Sequence, residues 1–416
     1  MSSETQAYFK RFGYWEKRLH KAPSPNLRMV VVIPCFDEPD PVSTLSSLWK
    51  CERPACGVEV IVVLNSSENA PTEVLQRNRA TAESAEYWIA QHQHASIEYH
   101  LWDCTGLPAR HAGVGLARKI GMDEAVRRLS DVCAFRDGVI VCLDADCQCA
   151  PNYLANIESH FHQHPNTPGC SIYFEHPLSG PCSSDVYNAA ANYELHLRYY
   201  VEALRYAGFP HAYHTVGSSM AVRGPAYVAQ GGMNKRQAGE DFYFLHKIIP
   251  LGGFTELNTT TVFPSPRPSN RVPFGTGRAI QEALAGKPFF TYPIEAFQDL
   301  KGFLSNVSEL AKNATTLPES LRAFLATQNF PAVVDEIARN TANDAAYRKR
   351  FFRWFDGFMA MKFVHHARDK YYGQRDVCDQ AQRLLKLRNV PAAEKSASAF
   401  ELLEIYRVIQ RGGWVR

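Results

Sequence analysis

Two carboxylates one residue apart, Asp144-Ala-Asp146, close the apolar run Val139-Ile-Val-Cys-Leu143. A short apolar run bounded by polar residues reads as a strand buried on both faces. Ligands of open α/β sheets collect at the carboxyl ends of such strands. Two anionic oxygen donors at that point suit a hard divalent cation, Mg2+ or Mn2+. The pair suits a turn or the cap of a following helix equally well. An EF-hand loop is excluded, because counting from Asp144 places Cys149 where the glycine belongs and Ala155 where the glutamate belongs. Cys147 and Cys149 add soft donors, but the nearest further pair, Cys51 and Cys56, lacks zinc-site spacing.

Cations are concentrated elsewhere. The loop Pro264-Ser-Pro-Arg267-Pro-Ser-Asn-Arg271-Val-Pro-Phe-Gly275-Thr-Gly277-Arg278 sets three arginines and two glycines among prolines. Arginine forks bind phosphate oxygens, and glycines let the backbone approach them closely. Such a loop can close over a diphosphate and exclude water, or serve as a surface linker. His211 and His214 are acceptor contacts or a structural pair.

Elements of alternating type must position these groups. Met29–Ile33, Val58–Leu64, Ser96–Trp102 and Val139–Leu143 read as strands, and helices are expected over about Pro41–Cys51, Pro71–Gln91 and Ala112–Leu129. This order predicts a parallel, doubly wound sheet with helices on both faces. Phe9, Phe12, Tyr14 and Trp15 fit a short helix before Pro23 and Pro25. After residue 150, strands are expected at Gly169–Phe174, His214–Arg223 and Thr259–Phe263, with helices from Ala189 to Tyr206 and from Gly239-Glu240-Asp241 onward. From Ala279 the chain reads as almost wholly helical.

With 416 residues, 45% hydrophobic and 21% charged, the composition is that of a soluble globular protein. A net charge of +3 offers no bulk argument for nucleic acid, so no nucleic-acid partner is expected. Apolar runs fall far short of the roughly 20 residues that cross a bilayer. The start Met-Ser-Ser-Glu-Thr-Gln carries no secretion pattern, and eleven cysteines without a framework read as reduced thiols, so a cytoplasmic location is expected. The segment Tyr347–Phe363 mixes aromatics with cations. It reads as a core helix, with peripheral contact at the inner membrane face as the alternative.

Four segments together resemble the family 2 glycosyltransferases, which have the GT-A fold. Val30-Val-Val-Ile-Pro34-Cys-Phe-Asp37-Glu38 resembles the first strand and nucleotide loop of that family. Gly115-Leu-Ala-Arg118-Lys-Ile-Gly121-Met-Asp-Glu-Ala125 resembles its G-x-x-x-A-R-N-x-G-x-x-x-A helix, with a shorter glycine-to-arginine gap and Lys119-Ile120 departing from the pattern. Asp144-Ala-Asp146 matches its D-x-D, and Gly239-Glu240-Asp241 resembles its E-D motif. The four cover roughly residues 29–265.

The resemblance implies a role for each. Asp146 is the direct ligand of a divalent cation, Mn or Mg, with Asp144 meeting the ribose or a metal-bound water. Pro34, Asp37, Glu38, Asn65 and Arg118 contact the nucleotide sugar, and Arg271, from the arginine loop, is expected beside them. Asn65 stands where the family usually has an aspartate after the second strand, keeping hydrogen bonding but losing charge. Asp241 is the general base, with Glu240 orienting the acceptor or the helix start, and one-step displacement inverts the anomeric centre. The expected activity is therefore transfer of a sugar from a nucleotide-diphosphate donor to a saccharide or lipid-linked acceptor. A nucleotidyltransferase acting on sugar phosphates and a catalytically inert relative are the alternatives. The expected organisation is an N-terminal arm over 1–28, a GT-A domain over 29–277 and a helical region over 278–416. The GT-A domain divides into a nucleotide half, 29–150, and an acceptor half, 151–277.

Overall fold

The computed structural model describes residues 1–16, 18–305, 307, 317–391 and 398–412; parts of the expected C-terminal helical region lie outside them. The described residues form two compact units. One is Met1–Pro177 with Thr215–Arg278, and the other is Leu178–His214 with Ala279–Arg416.

In the first unit the chain runs α1 (Ser3–Phe12), β1 (Leu27–Cys35), α2 (Pro41–Trp49), β2 (Gly57–Ser67), α3 (Thr72–Gln91), β3 (Ile97–Leu107), α4 (Val114–Asp131), β4 (Val139–Cys142) and β5 (Cys147–Cys149). It continues with α5 (Tyr153–Gln163) and β6 (Gly169–Phe174). After α6 (Ser184–Tyr206), which belongs to the second unit, it returns through β7 (Met220–Arg223), α7 (Gly224–Ala229), α8 (Glu240–Ile248) and β8 (Thr255–Pro264). The eight strands form one sheet in the order β3-β2-β1-β4-β7-β6-β8-β5. β7 and β5 run against the rest, so the sheet is mixed and mostly parallel. The fold class is α/β, a mixed and mostly parallel sheet with helices, followed by a helical C-terminal region.

The site's location follows from this winding. The chain moves outward from β1 through β2 to β3, then returns to place β4 on the other side of β1. Right-handed crossovers put α2 and α3 on one face and α4 on the other, leaving a crevice where the direction reverses. β1 pairs with β4 only from Met29 to Val32, whereas its pairing with β2 continues to Cys35. Pro34, which lacks an N–H, therefore sits past the end of β4, where the sheet opens. β7 lies antiparallel to β4 with Met220 opposite Cys142, which brings the turn before β7 to the end of β4.

Of the span His214–Arg223 expected as a strand, only Met220–Arg223 forms one. α1 stops at Phe12, capped by Gly13, so Tyr14 and Trp15 lie beyond it. α1 is held by a buried cluster: the Tyr8 and Tyr227 hydroxyls donate to Asp123 Oδ1 at 2.6 and 2.7 Å, and Lys119 Nζ lies 3.1 Å from Asp123 Oδ2.

α4 is buried from Gly115 to Ser130, six charged side chains included. Each of the six has an opposite charge to meet. Lys119 pairs with Asp123, Arg127 with Glu124, Arg128 with Glu59, and Arg118 with Glu240 and Asp144. A helix buried on all sides tolerates charge only under such pairing, because a lone buried ion costs several kcal/mol.

The second unit is helical around an aromatic core. Phe303 packs its ring 5.3–5.8 Å from those of Phe330, Phe351 and Phe355. The segment Tyr347–Phe363 forms two helices, Asp344–Trp354 and Gly357–Ala367, the second capped by Asp356. Tyr347, Phe351, Phe352, Phe355 and Phe363 are buried, in keeping with a core role. No helix among the described residues is long and apolar enough to cross a membrane.

Gly121 on α4 lies directly against Val32 of β1 and Val63 of β2, where a Cβ would collide with both side chains. Gly121→Ala is expected to destabilise the protein by about 1–3 kcal/mol through overpacking. The check is the shift of the denaturant midpoint.

Candidate active site

At the reversal point the ends of β1, β2 and β4 present Asp37 and Glu38, Asn65, and Asp144 and Asp146 respectively. A tight turn, in which Cys147 N–H donates to Asp144 C=O at 3.1 Å, folds the D-x-D segment back into β5. The turn lets the two carboxylates converge: ligand atoms of Asp144, Asp146 and Cys147 all lie within 4.8 Å of one another. Burial pushes the Cys147 thiol well above its ordinary value, aided by the Asp146 charge, and its soft sulfur is a poor match for a hard cation. The two carboxylates remain as hard oxygen donors, the set that suits Mg2+ or Mn2+.

Arg118 is the centre of the arrangement. It is 3% exposed, and its two terminal nitrogens donate to Glu240 Oε1 and Asp144 Oδ1. Glycines make room for it. A Cβ on Gly217, in the turn before β7, would stand 2.5–2.7 Å from the guanidinium. A Cβ on Gly115 would collide with the Arg236 carbonyl oxygen and stand 2.9 Å from Glu240 Cβ, so this glycine lets α4 approach the segment leading into α8. Burial opposes the Arg118 charge, but Asp144 and Asp241 outweigh it and hold the guanidinium protonated.

Glu240 and Asp241, adjacent in sequence, divide their work. Glu240 is buried against Arg118, and its C=O accepts from Asn234 Nδ2 at 2.8 Å. Asp241 is partly exposed at the first turn of α8, where Phe242 N–H donates to its Oδ1 at 2.7 Å. Burial raises the Asp241 carboxyl above the ordinary range, while the Arg118 charge pulls it back. A raised, partly accessible carboxylate is better matched to proton abstraction than an ordinary aspartate.

The β1 end is occupied by ion pairs. Asp37 adopts a left-handed conformation, φ 50°, and its carboxylate is held below the ordinary range chiefly by hydrogen bonding to Arg77. Glu38 is buried, and Arg267 and Arg271 both bind it, at 2.6–3.0 Å. Asp146 Oδ2 accepts from Arg271 at 3.1 Å and faces Arg267 at 3.5 Å. Burial, and then the Asp144 charge, push the Asp146 carboxyl up against the pull of Arg271. Asn65 is buried, and its Oδ1 finds no partner among the described residues. Around the crevice Asp37, Glu38, Asp144, Asp146, Glu240 and Asp241 face Arg77, Arg118, Arg267 and Arg271. Two negative charges are left over.

No family model matches the chain, and no curated protein does. Solved structures do. The chain is similar to S. aureus TarS 1-349 in complex with UDP-GlcNAc, at 12% identity and a TM-score of 0.39, over 94% of this chain and 93% of that one. The complex of the same protein with UDP gives 11% identity and a TM-score of 0.36 over the same shares.

Pro34, Asp37, Glu38, Asn65, Arg118, Asp144, Asp146, Glu240, Asp241 and Arg271 thus all belong to the first unit. His211 and His214 belong to the second. There His214 hydrogen-bonds Gln410 at 3.0 Å, and burial lowers it to about 3. Arg77, Gly217 and the anchoring role of Arg267 escaped the sequence, since each depends on contacts between distant segments. One signal was available. Counted from Gly113, the N-cap of α4, rather than from Gly115, the glycine-to-arginine spacing of the helix pattern is complete.

The neighbouring carboxylates are expected to respond oppositely to substitution. Glu240→Ala strands the buried Arg118 charge and costs about 3–5 kcal/mol. Asp241 has a raised folded-state value, so its contribution to stability is full below the ordinary carboxylate range and is lost as pH rises through that folded value. Asp241→Asn should therefore raise the melting temperature at neutral pH, with the gain shrinking as pH falls toward about 4. Melting curves from pH 4 to 8 check both.

Proposed function

We propose that the protein is an inverting, family 2-type glycosyltransferase that moves a sugar from a nucleoside-diphosphate sugar to an acceptor hydroxyl. The observation that carries this reading is the Arg118 bridge. One buried guanidinium joins Asp144, in the D-x-D turn, to Glu240, the residue directly before Asp241. It thereby couples the group that meets the leaving diphosphate to the helix start that carries the base.

Asp241 takes the proton from the acceptor hydroxyl as that oxygen bonds to the anomeric carbon from the face opposite the leaving group. The anomeric carbon–oxygen bond to the diphosphate breaks, and the electron pair leaves with the phosphate. Arg118 keeps the start of α8 and the D-x-D turn at a constant separation, which preserves the geometry that in-line displacement requires. Asp146 and Asp144 would hold a divalent cation, which supplies charge stabilisation to the departing diphosphate. The two uncompensated negative charges of the crevice and the pair of convergent carboxylates fit such an ion. Asn65 Oδ1, a buried acceptor without a partner, would receive a donor from the base, and Asp37 a ribose hydroxyl. A saccharide is the proposed acceptor class. Most aromatics of Tyr347–Phe363 (Tyr347, Phe351, Phe352, Phe355 and Phe363) are buried in the second unit's core, which favours this class over a lipid-linked acceptor.

A panel of nucleotide sugars tested with Mn2+ is expected to contain one that raises the melting temperature, with about 2.7 kcal/mol of stabilisation at 100 times its dissociation constant. Turnover of that donor should release nucleoside diphosphate. Asp241→Asn should lower transfer about 10²–10⁴-fold while leaving donor binding intact. Release of pyrophosphate would point to a nucleotidyltransferase instead. Binding with no turnover in either form would point to an inert relative.

A further inference from the structure

The loop after β8 does not hang free. Ser269 N–H donates to Gly277 C=O at 3.1 Å, and Ser269 Oγ accepts from both the backbone N–H and Nε of Arg271, at 3.3 and 3.1 Å. With Ser269 tied to Gly277, the loop sets Arg267 and Arg271 together on Glu38 and Asp146. Arg267 forks onto Glu38, at 3.0 and 2.6 Å. Arg271 Nη1 is shared between Glu38 and the Phe36 carbonyl, at 3.0 and 3.1 Å, while its Nη2 reaches Asp146.

The two carboxylates differ in what they can release. Glu38 has 2% of its side chain exposed and must keep a cation, because a lone buried charge is costly. Asp146 has 28% exposed and can turn to another partner. Glu38 needs only one of its two guanidiniums, so the other is in excess. The cluster as it stands is neutral, two guanidiniums on two carboxylates. A divalent cation arriving alone at Asp146 would displace Arg271 and leave that guanidinium unmatched beside it. A cation arriving with a diphosphate would not, because the phosphate oxygens accept the freed guanidinium in the bidentate manner that arginine favours.

We propose that Arg267 and Arg271 form a clasp that masks Asp146 against a divalent cation. A diphosphate releases the clasp by drawing one guanidinium onto its own oxygens. The inference rests on the reading of Asp146 as a cation ligand in a nucleotide-sugar site. It makes cation and nucleoside diphosphate cooperative ligands, each raising the affinity for the other by the same factor. The arginines then have two successive partners, first the carboxylates of the empty site and afterwards the diphosphate.

The decisive measurement is Mn2+ binding without nucleotide, read from the electron paramagnetic resonance signal of free Mn2+. Arg267→Ala/Arg271→Ala is expected to bind Mn2+ about tenfold more tightly than wild type, the scale of losing two partly exposed ion pairs. Asp146→Asn should abolish that binding in either background. Addition of UDP, GDP or ADP should then strengthen Mn2+ binding to wild type by a larger factor than to the double variant. If the double variant melts early, Arg271→Ala, which leaves Arg267 on Glu38, carries the same comparison. Equal or weaker Mn2+ binding in the variants, or no Mn2+ binding in any form, overturns the clasp. Tighter Mn2+ binding in the variants, with no response to any nucleoside diphosphate in either protein, supports the mask and instead removes the nucleotide-sugar reading.

Discussion

A single buried guanidinium holds the crevice together. Arg118 stands where α4, the D-x-D turn and the start of α8 come together, and it satisfies one carboxylate from each of the last two. A charge 3% exposed is tolerated only because both partners are in place. The same condition binds the fold to the site. The glycines at 115 and 217 exist where the backbone must come close to Arg118 or to its partner Glu240, and a methyl group at either would displace them. Stability and the geometry of the candidate site therefore share one residue, and Asp241 sits beside a neighbour that is itself buried against Arg118.

The rim of the crevice follows a different rule. Arg77, Arg267 and Arg271 are partly exposed, and their ion pairs gain less from each contact than the buried one does. Such pairs can be exchanged for a ligand's oxygens at modest cost. The interior of the site is thus rigid by desolvation, and its edge is exchangeable by exposure. The second unit applies the first of these rules in its core. Glu194 joins Arg198 to Arg407, each at 2.8 Å, inside a helical core rich in phenylalanine.

Much of this arrangement is legible along the chain, for local reasons. The apolar runs at Val30–Ile33 and Val139–Leu143 are buried strands because nothing polar interrupts them, and carboxylates directly after them fall at the open end of a parallel sheet. Glu240 and Asp241 open a helix because acids at a helix N-terminus are stabilised there. The span His214–Arg223 misleads because small alternating residues suit a strand and a close-packed turn alike. Here Gly217 serves the turn, leaving only Met220–Arg223 for β7. Tyr347–Phe363 is ambiguous for a related reason. Its aromatics point to all sides, and only their packing against other helices decides that they are core.

The sequence by itself determined β1 to β4 and β6, the order of the motifs and the carboxylates that follow β1 and β4, because these depend on periodicity within a few residues. Only the tertiary structure decided which guanidinium meets which carboxylate. Arg118 and Glu240 lie 122 residues apart, and Arg267 and Glu38 lie 229 apart. An ion pair has no period and leaves no local trace in the chain. It is set by where the sheet reverses direction, where glycine lets two backbones approach, and which charges are buried too deeply to be left alone.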